Sequence, residues 1–414
     1  MSAGGSTKIS PLRAQEFCAR RPAPQKGKYP MPMHFTQEEF AARQDKVKAA
    51  LADRGLDGLL IFKQETMYYL TGYDTTGYSQ FQALYFGVDG SLALLTRSAD
   101  QRQAMHTSLI EDIRIWVDRD GATPAEDLKD LLQSYNCSGK QLGIELDAPC
   151  LTGARWDMVR CALDGFCILH DASGLVQAFR IVKSAAELAY VTKAAELADK
   201  AMTDVHAQLR AGVDEGHLFA TAHNAIFEGG GDYPAGRFII GSGKGALLVR
   251  NFTGRETVGT QDQVQLEFGA SYRHYHACIM RTALIGTVSP EHQRMQDAAL
   301  EALIACQEIC KPGNLVGDVF DMHAKILDSA GYRSHRLNAC GYSLSANYPP
   351  SWMEQPMICT GEPTTIQPNM VFFMHMILTD TERGLALSLG ETGRVMPDGF
   401  RRLSRLNCAE LLTA

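Results

Sequence analysis

In the first part of the chain, segments whose apolar residues recur at helical intervals alternate with short apolar segments typical of strands. Residues 36–54 place apolar side chains at helical intervals behind an N-cap at Thr36, which predicts an amphipathic helix. The apolar run 57–62 predicts a buried strand, and 82–96 predicts two strands joined by a Val-Asp-Gly turn. Three further segments continue the alternation, namely a helix at 124–135, a strand at 140–145 and a helix near 151–164. Together they indicate an α/β domain of mixed strands over residues 34–176.

The pattern changes at residue 177. Ser184 followed by Glu187 forms a capping box, and a long helix is predicted from there to about residue 210. The other predicted elements are a helix at 215–228, strands at 236–241, 247–252, 262–269 and 273–285, helices within 290–330 broken at Lys311-Pro312-Gly313, and a strand-rich end at 338–414. Helices grouped around an antiparallel sheet indicate an α+β domain over residues 177–414.

Composition narrows the class of protein. The 40 basic and 47 acidic residues give a net charge of −7, which argues against sequence-independent nucleic-acid binding because that requires a basic face. The 11 cysteines are odd in number and include no C-x-x-C pair, which is typical of a reduced, cytoplasmic protein. No apolar run approaches the roughly 20 residues that span a bilayer. Residues 1–33 are rich in Pro, Gly and Lys and predict a flexible arm rather than a secretory signal.

Candidate chemistry concentrates in residues 265–282. The pattern predicts a strand that carries Glu267 to a turn at Gly269, and a return strand that carries His276 and Cys278. Because strand side chains alternate between faces, the histidine and the cysteine share one face. A carboxylate and a His/Cys row that face one space can form a reactive site. A structural hairpin with a surface Glu and half-buried histidines gives the same pattern, so the residues alone leave both interpretations open.

At this point the chain resembles the creatinase/prolidase family of pita-bread proteins. The order of segments over residues 36–405 and the Arg-Ile-Val-Lys-Ser-x-x-Glu entry into the long helix are similar to that family. The resemblance implies a creatinase-like N-terminal α/β domain followed by an α+β pita-bread catalytic domain. The metal-dependent peptidases of the family hold two metal ions with two Asp, one His and two Glu. The matching positions in this chain are Glu267, Cys278, Tyr342, His375 and Glu391.

This set is too poor in carboxylates for two hard divalent ions, which need several negative oxygen ligands. The resemblance therefore implies a site without metal or other cofactor. Two motifs are similar to the metal-free ectoine hydrolase branch: Glu267 followed by Arg-His-Tyr-His and an Arg-Thr pair at 281–282, and Gly-Tyr-Ser-Leu at 341–344 leading to Tyr-Pro-Pro-Ser-Trp-Met-Glu at 348–354. The chain departs from that branch at His274 in place of Arg, at Asn369 in place of Gly, and at Ala277-Cys278 where Pro is frequent.

The resemblance implies hydrolysis of a C–N bond. The expected substrate is ectoine or a related small amidine or guanidine solute, opened to an N-acetyl-diaminobutyrate-type product. The amidinium carbon is already electrophilic, so no Lewis acid is needed to polarise it. Glu267 would either attack that carbon to give a covalent intermediate or act as general base on water. Glu391 is assigned to the second ring nitrogen or to proton transfer, and His276 and His375 are candidate acids for the leaving nitrogen.

The candidate substrate-binding residues are aromatic or cationic. Tyr342 is expected to donate a hydrogen bond, Trp352 to form an aromatic wall for a cationic ring, and Arg250 to bind a substrate carboxylate. Resemblance to creatinase-like dimers implies a homodimer in which loop 71–82, after a strand containing Tyr68-Tyr69, lies near the other subunit's site. The loop residues assigned to an apolar wall there are Tyr73, Tyr78 and Phe81.

Two other functions stay open from the sequence. A Xaa-Pro-type metallopeptidase with an altered metal site could hold one Zn²⁺ on Glu267, Cys278 and His375, because Zn²⁺ accepts oxygen, sulfur and nitrogen ligands. A non-catalytic pita-bread module would bind a peptide or a partner protein. No nucleic-acid or membrane partner is expected in any of these cases.

Overall fold

The computed structural model describes residues 32–251 and 255–414, which form two sheets with their own helices. The predicted arm at 1–33 lies outside the described residues except for Pro32 and Met33. Among the helices in the described ranges, none is long and apolar enough to cross a membrane.

The first sheet is mixed and has six strands in the order β4-β3-β2-β1-β5-β6. β1 pairs antiparallel with β2 and parallel with β5, and the predicted α/β class is confirmed. The strands are β1 Gly58–Ile61, β2 Ala83–Gly87, β3 Leu92–Arg97, β4 Asp112–Trp116, β5 Gln141–Ile144 and β6 Ile168–Asp171. The helices are α1 Gln37–Asp53, α2 Gln64–Thr71, α3 Ser98–Thr107, α4 Pro124–Ser134, α5 Gly153–Leu163 and α6 Gln177–Arg180.

Helix α2 replaces the strand predicted around Tyr68-Tyr69. Residues 66–71 are all buried, so this helix is covered on every side and its sequence shows no clear amphipathic period. Aromatic side chains favour strands only weakly, and burial in a core overrides that preference. Gly72 ends the helix with a φ of 79°, a left-handed conformation that glycine adopts without strain.

The second sheet has nine strands, seven of them in the order β11-β10-β12-β13-β9-β8-β7, with β14 paired to β13 and β15 paired to β9. The strands are β7 Ile239–Ser242, β8 Asp262–Tyr272, β9 Tyr275–Ile285, β10 Ala339–Ser343, β11 Glu354–Cys359, β12 Val371–Asp380, β13 Leu385–Met396, β14 Gly399–Arg402 and β15 Leu412–Thr413. The helices are α7 Ala185–Gln208, α8 Glu215–Glu228, α9 Pro290–Ile309 and α10 Val316–Ser329. The predicted capping box at Ser184 and Glu187 begins α7.

Two predictions in this part are wrong. The β8–β9 hairpin turns at Arg273 and His274, whose φ values of 52° and 66° fit a two-residue hairpin turn, whereas Gly269 lies inside β8 opposite Cys278. Of the strand predicted at 247–252, the structure describes residues 247–251, and these form no strand. A short 3-10 helix at Gly243–Leu247 includes the first of them.

Helices cover one face of this sheet, and the segment that carries Trp352 packs on the other face. Leu266 and Phe268 of β8 pack in the core that contains α7 and α8 residues. Met374 and Met376 of β12 pack with α9 and α10. Strand side chains alternate, so the intervening residues of both strands point to the opposite face. That face carries the candidate site.

Candidate active site

A single row of paired residues crosses five strands on the face that the helices do not cover. Ile239 of β7 pairs with Glu267 of β8, and Glu267 pairs with Met280 of β9. Met280 pairs with Gly390 of β13, which pairs with His375 of β12. Glu267 and His375 are therefore three strand spacings apart, or about 14 Å measured along the sheet. They face the same space from opposite sides.

This space is a cavity of about 290 Å³. Its polar lining residues include Glu267, Tyr342 and His375, and its apolar lining is provided by Ile239, Val249, Met280, Leu337, Met353 and Ile377. A cavity of about 150 Å³ holds benzene, so by proportion this one admits a ligand of about a dozen non-hydrogen atoms. The arrangement of a mostly apolar wall with a few polar groups is typical of a small-molecule site.

Glu267 is the one carboxylate among the described residues that line the cavity. Its side chain is buried, with 6% of its surface exposed. Burial raises its pKa to about 8, and the charge of Arg250 at the cavity rim acts in the opposite direction. In the empty cavity the carboxyl group is therefore mainly protonated at neutral pH, and a cationic ligand beside it would favour the ionised form.

The Trp352 indole forms a wall of the same cavity beside Gly269, which lies two residues from Glu267 on one face of β8, and two glycines make room for it. A Cβ atom on Gly269 would lie 2.6 Å from Trp352 Cε3, and one on Gly236 would lie closer still. Neither glycine has a positive φ, so space rather than backbone conformation requires glycine at both positions. Indole Nε1 donates a 2.8 Å hydrogen bond to the Tyr342 hydroxyl oxygen. Trp352 and Tyr342, the two aromatic residues predicted to bind substrate, therefore lie in contact at the same cavity.

Gly269→Ala is expected to displace the indole, because the added methyl group projects from a paired strand that cannot move away. Overpacking of this kind costs about 1–3 kcal/mol of stability. Near-UV circular dichroism should show a changed tryptophan signal, and thermal unfolding should show a lower midpoint. Gly153→Ala is the matched control, since a Cβ there meets no atom within 4 Å. An unchanged tryptophan signal in Gly269→Ala would contradict the assigned role of the glycine.

The two candidate histidines occupy different places. His375 lines the cavity, and its Nδ1 has no hydrogen-bond partner among the described residues. His276 is fully buried and outside the cavity lining, and its Nε2 accepts a 2.9 Å hydrogen bond from the Ala235 amide. Burial lowers the pKa of His375 to about 4 and that of His276 to about 3. Both rings are neutral at pH 7, and His276 supports the chain next to Gly236 instead of meeting a ligand.

Glu391 faces away from the cavity, contrary to its predicted contact with substrate. Its neighbour Gly390 lies in the cavity row, so strand alternation turns Glu391 to the helix-covered face. There its carboxylate is fully buried and accepts hydrogen bonds from Arg281 and Arg402, the latter at 2.9 and 3.1 Å. Glu391 is thus a member of a buried ion pair, and it can affect the site only through the strands it joins.

The loop at 71–82 also differs from its prediction. Tyr73 and Phe81 are buried in the core of their own domain, where the Tyr73 hydroxyl donates to Gln82 and Phe81 packs against Phe62. Neither ring is available to a ligand or a second subunit, so their assignment to a substrate wall is corrected. Tyr78 is half-buried, and its ring packs against Tyr348 of the same chain at 5.6 Å. A homodimer stays a prediction.

Cations lie at the rim of the cavity. Arg250, predicted from the sequence, and Arg237, which the sequence analysis missed, are both exposed lining residues. A guanidinium binds a carboxylate with two parallel hydrogen bonds, so this rim suits the acidic end of a small zwitterion. No single-sequence signal distinguishes Arg237 from other exposed arginines, since only the fold brings its segment beside β8.

The residues present do not fit the dinuclear metal site of metal-dependent relatives. The Tyr342 hydroxyl accepts a hydrogen bond from Trp352, and Glu391 forms ion pairs with two arginines on the other face of the sheet. Burial and then the nearby Glu267 raise the pKa of Cys278 well above its usual range, so its thiol stays protonated. Within residues 32–251 and 255–414, no three His, Cys, Asp or Glu side chains converge to hold a metal ion. Glu267 and His375 alone cannot supply the charge and ligand number for two ions.

Comparisons with known proteins agree with this architecture. Residues 189–395 match the model of metallopeptidase family M24, and residues 43–182 match the creatinase/prolidase N-terminal domain. An ectoine hydrolase from Halomonas elongata is 27% identical over 359 residues, which is 82% of this chain and 88% of that protein. A Xaa-Pro dipeptidase from Pyrococcus horikoshii is 24% identical over 364 residues, covering 87% of this chain and 96% of that protein.

Solved structures share the fold at low sequence identity. A prolidase from Thermococcus sibiricus superposes with a TM-score of 0.81 at 21% identity, covering 91% of this chain and 99% of that chain. A Xaa-Pro dipeptidase from Bacillus anthracis gives a TM-score of 0.78 at 19% identity, covering 91% of this chain and 100% of that chain. With its creatinase-type N-terminal domain and pita-bread catalytic domain, the chain belongs to the M24 family of hydrolases.

Proposed function

We propose that this protein is a metal-independent hydrolase of a non-peptide C–N bond, which opens the cyclic amidine ring of ectoine or of a related small amidine or guanidine solute. One observation carries the proposal: a lone buried carboxyl group, Glu267, faces an aromatic wall, Trp352, in a small cavity with cations at its rim. The similarity to an ectoine hydrolase over most of both chains supports the same chemistry.

The cavity groups match the parts of such a substrate. Its cationic ring would lie between the Glu267 carboxylate and the Trp352 indole, which attract it by charge and by a cation–π contact. Its carboxylate would meet Arg250 at the rim. Its apolar carbon atoms would lie against Met280 and Ile377. Each of these contacts would be made by a residue that lines the cavity. The Glu267 oxygen atoms would lie next to the positive charge of the amidinium group, which hydrolysis removes.

Glu267 has to be ionised to act in either proposed way. A carboxylate can attack the amidinium carbon to form an acyl-type intermediate, or remove a proton from an attacking water. The bound cation lowers the pKa of the acid, so substrate binding itself supplies the reactive form. After ring opening the leaving nitrogen needs a proton. In the general-base route Glu267 returns to that nitrogen the proton it took from water. In the nucleophilic route Glu267 carries no proton and His375 is neutral at pH 7, so a water molecule supplies the proton and its hydroxide hydrolyses the intermediate.

The size of the cavity favours a small solute over a dipeptide. Ectoine has ten non-hydrogen atoms, within the capacity of about a dozen inferred from the volume. Larger Xaa-Pro dipeptides would have to extend out of the cavity past the rim. The replacement of most metal ligands also favours the small solute. Cleavage of a peptide bond requires polarisation of a neutral carbonyl group, as a metal ion provides, whereas an amidinium carbon is already electrophilic.

Metal independence gives a direct prediction. Protein that is dialysed against a strong chelator should keep its full activity on ectoine and contain far less than one equivalent of zinc or manganese by elemental analysis. A Xaa-Pro dipeptidase of the family with an intact ligand set is the control and should lose activity in the same treatment. Stoichiometric metal together with chelator-sensitive cleavage of Xaa-Pro dipeptides would instead support the peptidase.

A substrate panel tests the reaction class. Ectoine, hydroxyectoine, creatine and Xaa-Pro dipeptides should be offered to the purified protein, with new primary amine measured by derivatisation and products identified by mass spectrometry. We expect turnover of a cyclic amidine with the gain of one water and no cleavage of dipeptides. Binding without turnover of every compound would favour a non-catalytic module.

A further inference from the structure

The wall that carries Trp352 is a short closed segment. We call residues 347–353 the Trp352 loop. The Asn347 side-chain amide closes it by donating to the Trp352 carbonyl oxygen at 2.9 Å and to the Met353 carbonyl oxygen at 3.1 Å. The Asn347 backbone amide in turn donates to the His274 carbonyl oxygen at 3.0 Å, so the loop rests on the tip of the β8–β9 hairpin. Tyr348 occupies the start of the loop.

The N-terminal domain of the same chain holds Tyr348 at two points. Its backbone amide donates to Glu65 Oε1 at 3.3 Å, and its hydroxyl donates to Asp74 Oδ1 at 3.0 Å. Asp74 also accepts from His274 Nε2 at 3.0 Å, and the His274 ring stacks on Tyr348 with centroids 4.2 Å apart. One aspartate thus joins the hairpin tip and the Trp352 loop.

Asp74 is itself fixed by its domain. Its backbone amide donates to the Thr107 hydroxyl at 3.1 Å, and the preceding Tyr73 ring is fully buried. Burial raises the pKa of Asp74, but the hydrogen bond and charge of His274 and the Tyr348 hydroxyl outweigh it, so the pKa is lowered on balance. Asp74 is therefore an ionised acceptor at neutral pH, and hydrogen bonds to charged groups are stronger than neutral ones.

We propose that the N-terminal domain completes the active site of its own chain, with Asp74 acting as a positioning residue that holds Tyr348 and through it the Trp352 indole. The inference rests on the proposed function for its kinetic consequences, but its structural part stands without a substrate. Asp74 and Tyr348 contact no reacting atom. They set the position of the wall against which the substrate cation is held opposite Glu267.

The indole position depends on this support because its slot is narrow. Gly236 and Gly269 contact the ring closely, so a small shift of the loop forces the ring out of the slot or against Glu267. Loss of the hydrogen bond between Tyr348 and Asp74 should weaken substrate binding and leave the Glu267 carboxyl group in place. We expect KM for ectoine to rise about tenfold with kcat within about threefold, the pattern for a lost contact that ground state and transition state share.

The first test needs no substrate. The chain has three tryptophans, so protein labelled with 5-fluorotryptophan should give three fluorine NMR signals, with that of Trp352 assigned by Trp352→Phe. Asp74→Ala, which removes the acceptor oxygen, and Tyr348→Phe, which removes the donor, should each shift or broaden the Trp352 signal and leave those of Trp116 and Trp156 in place. Unchanged Trp352 signals in both folded variants would overturn the proposal.

Tyr190→Phe is the matched control, because it removes another tyrosine hydroxyl bond between the two parts of the chain, to the His34 carbonyl oxygen, without touching the Trp352 loop. It should leave the Trp352 signal and KM unchanged. The double variant Asp74→Ala/Tyr348→Phe should be no worse than Asp74→Ala alone, because each single change already removes the Tyr348–Asp74 bond. If ectoine is not turned over by the wild type, the proposed function fails while the NMR result still decides the role of Asp74. Additive losses, or equal losses in Tyr190→Phe, would reduce Asp74 to a general interdomain contact.

Discussion

Glu267→Gln is expected to abolish the proposed turnover of ectoine, with a loss of at least about 1000-fold in kcat, because an amide can neither attack the amidinium carbon nor accept a proton from water. The amide has nearly the same shape, so the cavity and the Trp352 wall should persist. Steady-state amine release measures the loss, and ectoine binding by calorimetry shows whether the cavity is intact. Glu145→Gln is the control, since Glu145 is also buried with its pKa raised, to about 7, but lies in the N-terminal domain. Retained turnover in Glu267→Gln would remove Glu267 from the chemistry.

The same substitution should change how stability depends on pH. The pKa of Glu267 is about 8 in the folded protein against 4.5 for an ordinary glutamate, so the folded state keeps a proton that the unfolded state loses. Stability from this group is therefore full below about pH 4.5 and is lost as the pH rises towards 8. Each pKa unit is worth about 1.4 kcal/mol, which makes the total about 4–5 kcal/mol. Glutamine does not titrate, so the variant should gain on the wild type between pH 5 and pH 8 in thermal or urea unfolding. A difference that is constant with pH would contradict the protonated state.

The parts of this site that the sequence predicts are those carried by local patterns. Glu267 and Trp352 belong to distinct motifs, and the strand period places both the β8 and β12 residues on defined faces. The turn of the hairpin was misplaced because Gly269 looks like a turn residue. It is glycine for another reason, the close approach of an indole that lies 83 positions further along the chain. The residues around Gly269 in the sequence do not reveal a contact with such a distant residue.

The mistaken assignment of Glu391 has a similar origin. Family resemblance placed it in the cavity, but the pairing of Gly390 with both Met280 and His375 decides which face it occupies. Register across three strands is a tertiary property, and a shift of one residue reverses the face of every side chain. The role of Asp74 also depends on how two domains meet. The alternation of apolar and polar residues predicted the strands that carry the site. The strand register and the contacts between the two domains, which shape the site, depend on tertiary packing.

Arg281→Met is expected to destabilise the protein by about 3–5 kcal/mol, because it removes the more deeply buried of the two arginines that pair with the fully buried Glu391. The Arg281 side chain is 2% exposed and Glu391 is 0% exposed, whereas Arg402, the other partner, is 34% exposed and can draw on water. The thioether has about the length of the lost side chain but cannot neutralise the carboxylate. Thermal and urea unfolding of Arg281→Met, Arg402→Met and the wild type would measure the difference, with the smaller loss expected in Arg402→Met.

The double variant Arg281→Met/Glu391→Gln separates a structural ion pair from a catalytic one. Removing the Glu391 charge should restore part of the stability lost in Arg281→Met, since the main cost of the single variant is a buried carboxylate that only the partly exposed Arg402 still compensates. If Glu391 acts only through the strands β9 and β13, the double variant should also keep turnover within about tenfold of the wild type, far above the loss expected for Glu267→Gln. Stability recovered without activity would instead return Glu391 to the reaction, and a double variant less stable than Arg281→Met would show that the carboxylate is supported by Arg402 alone.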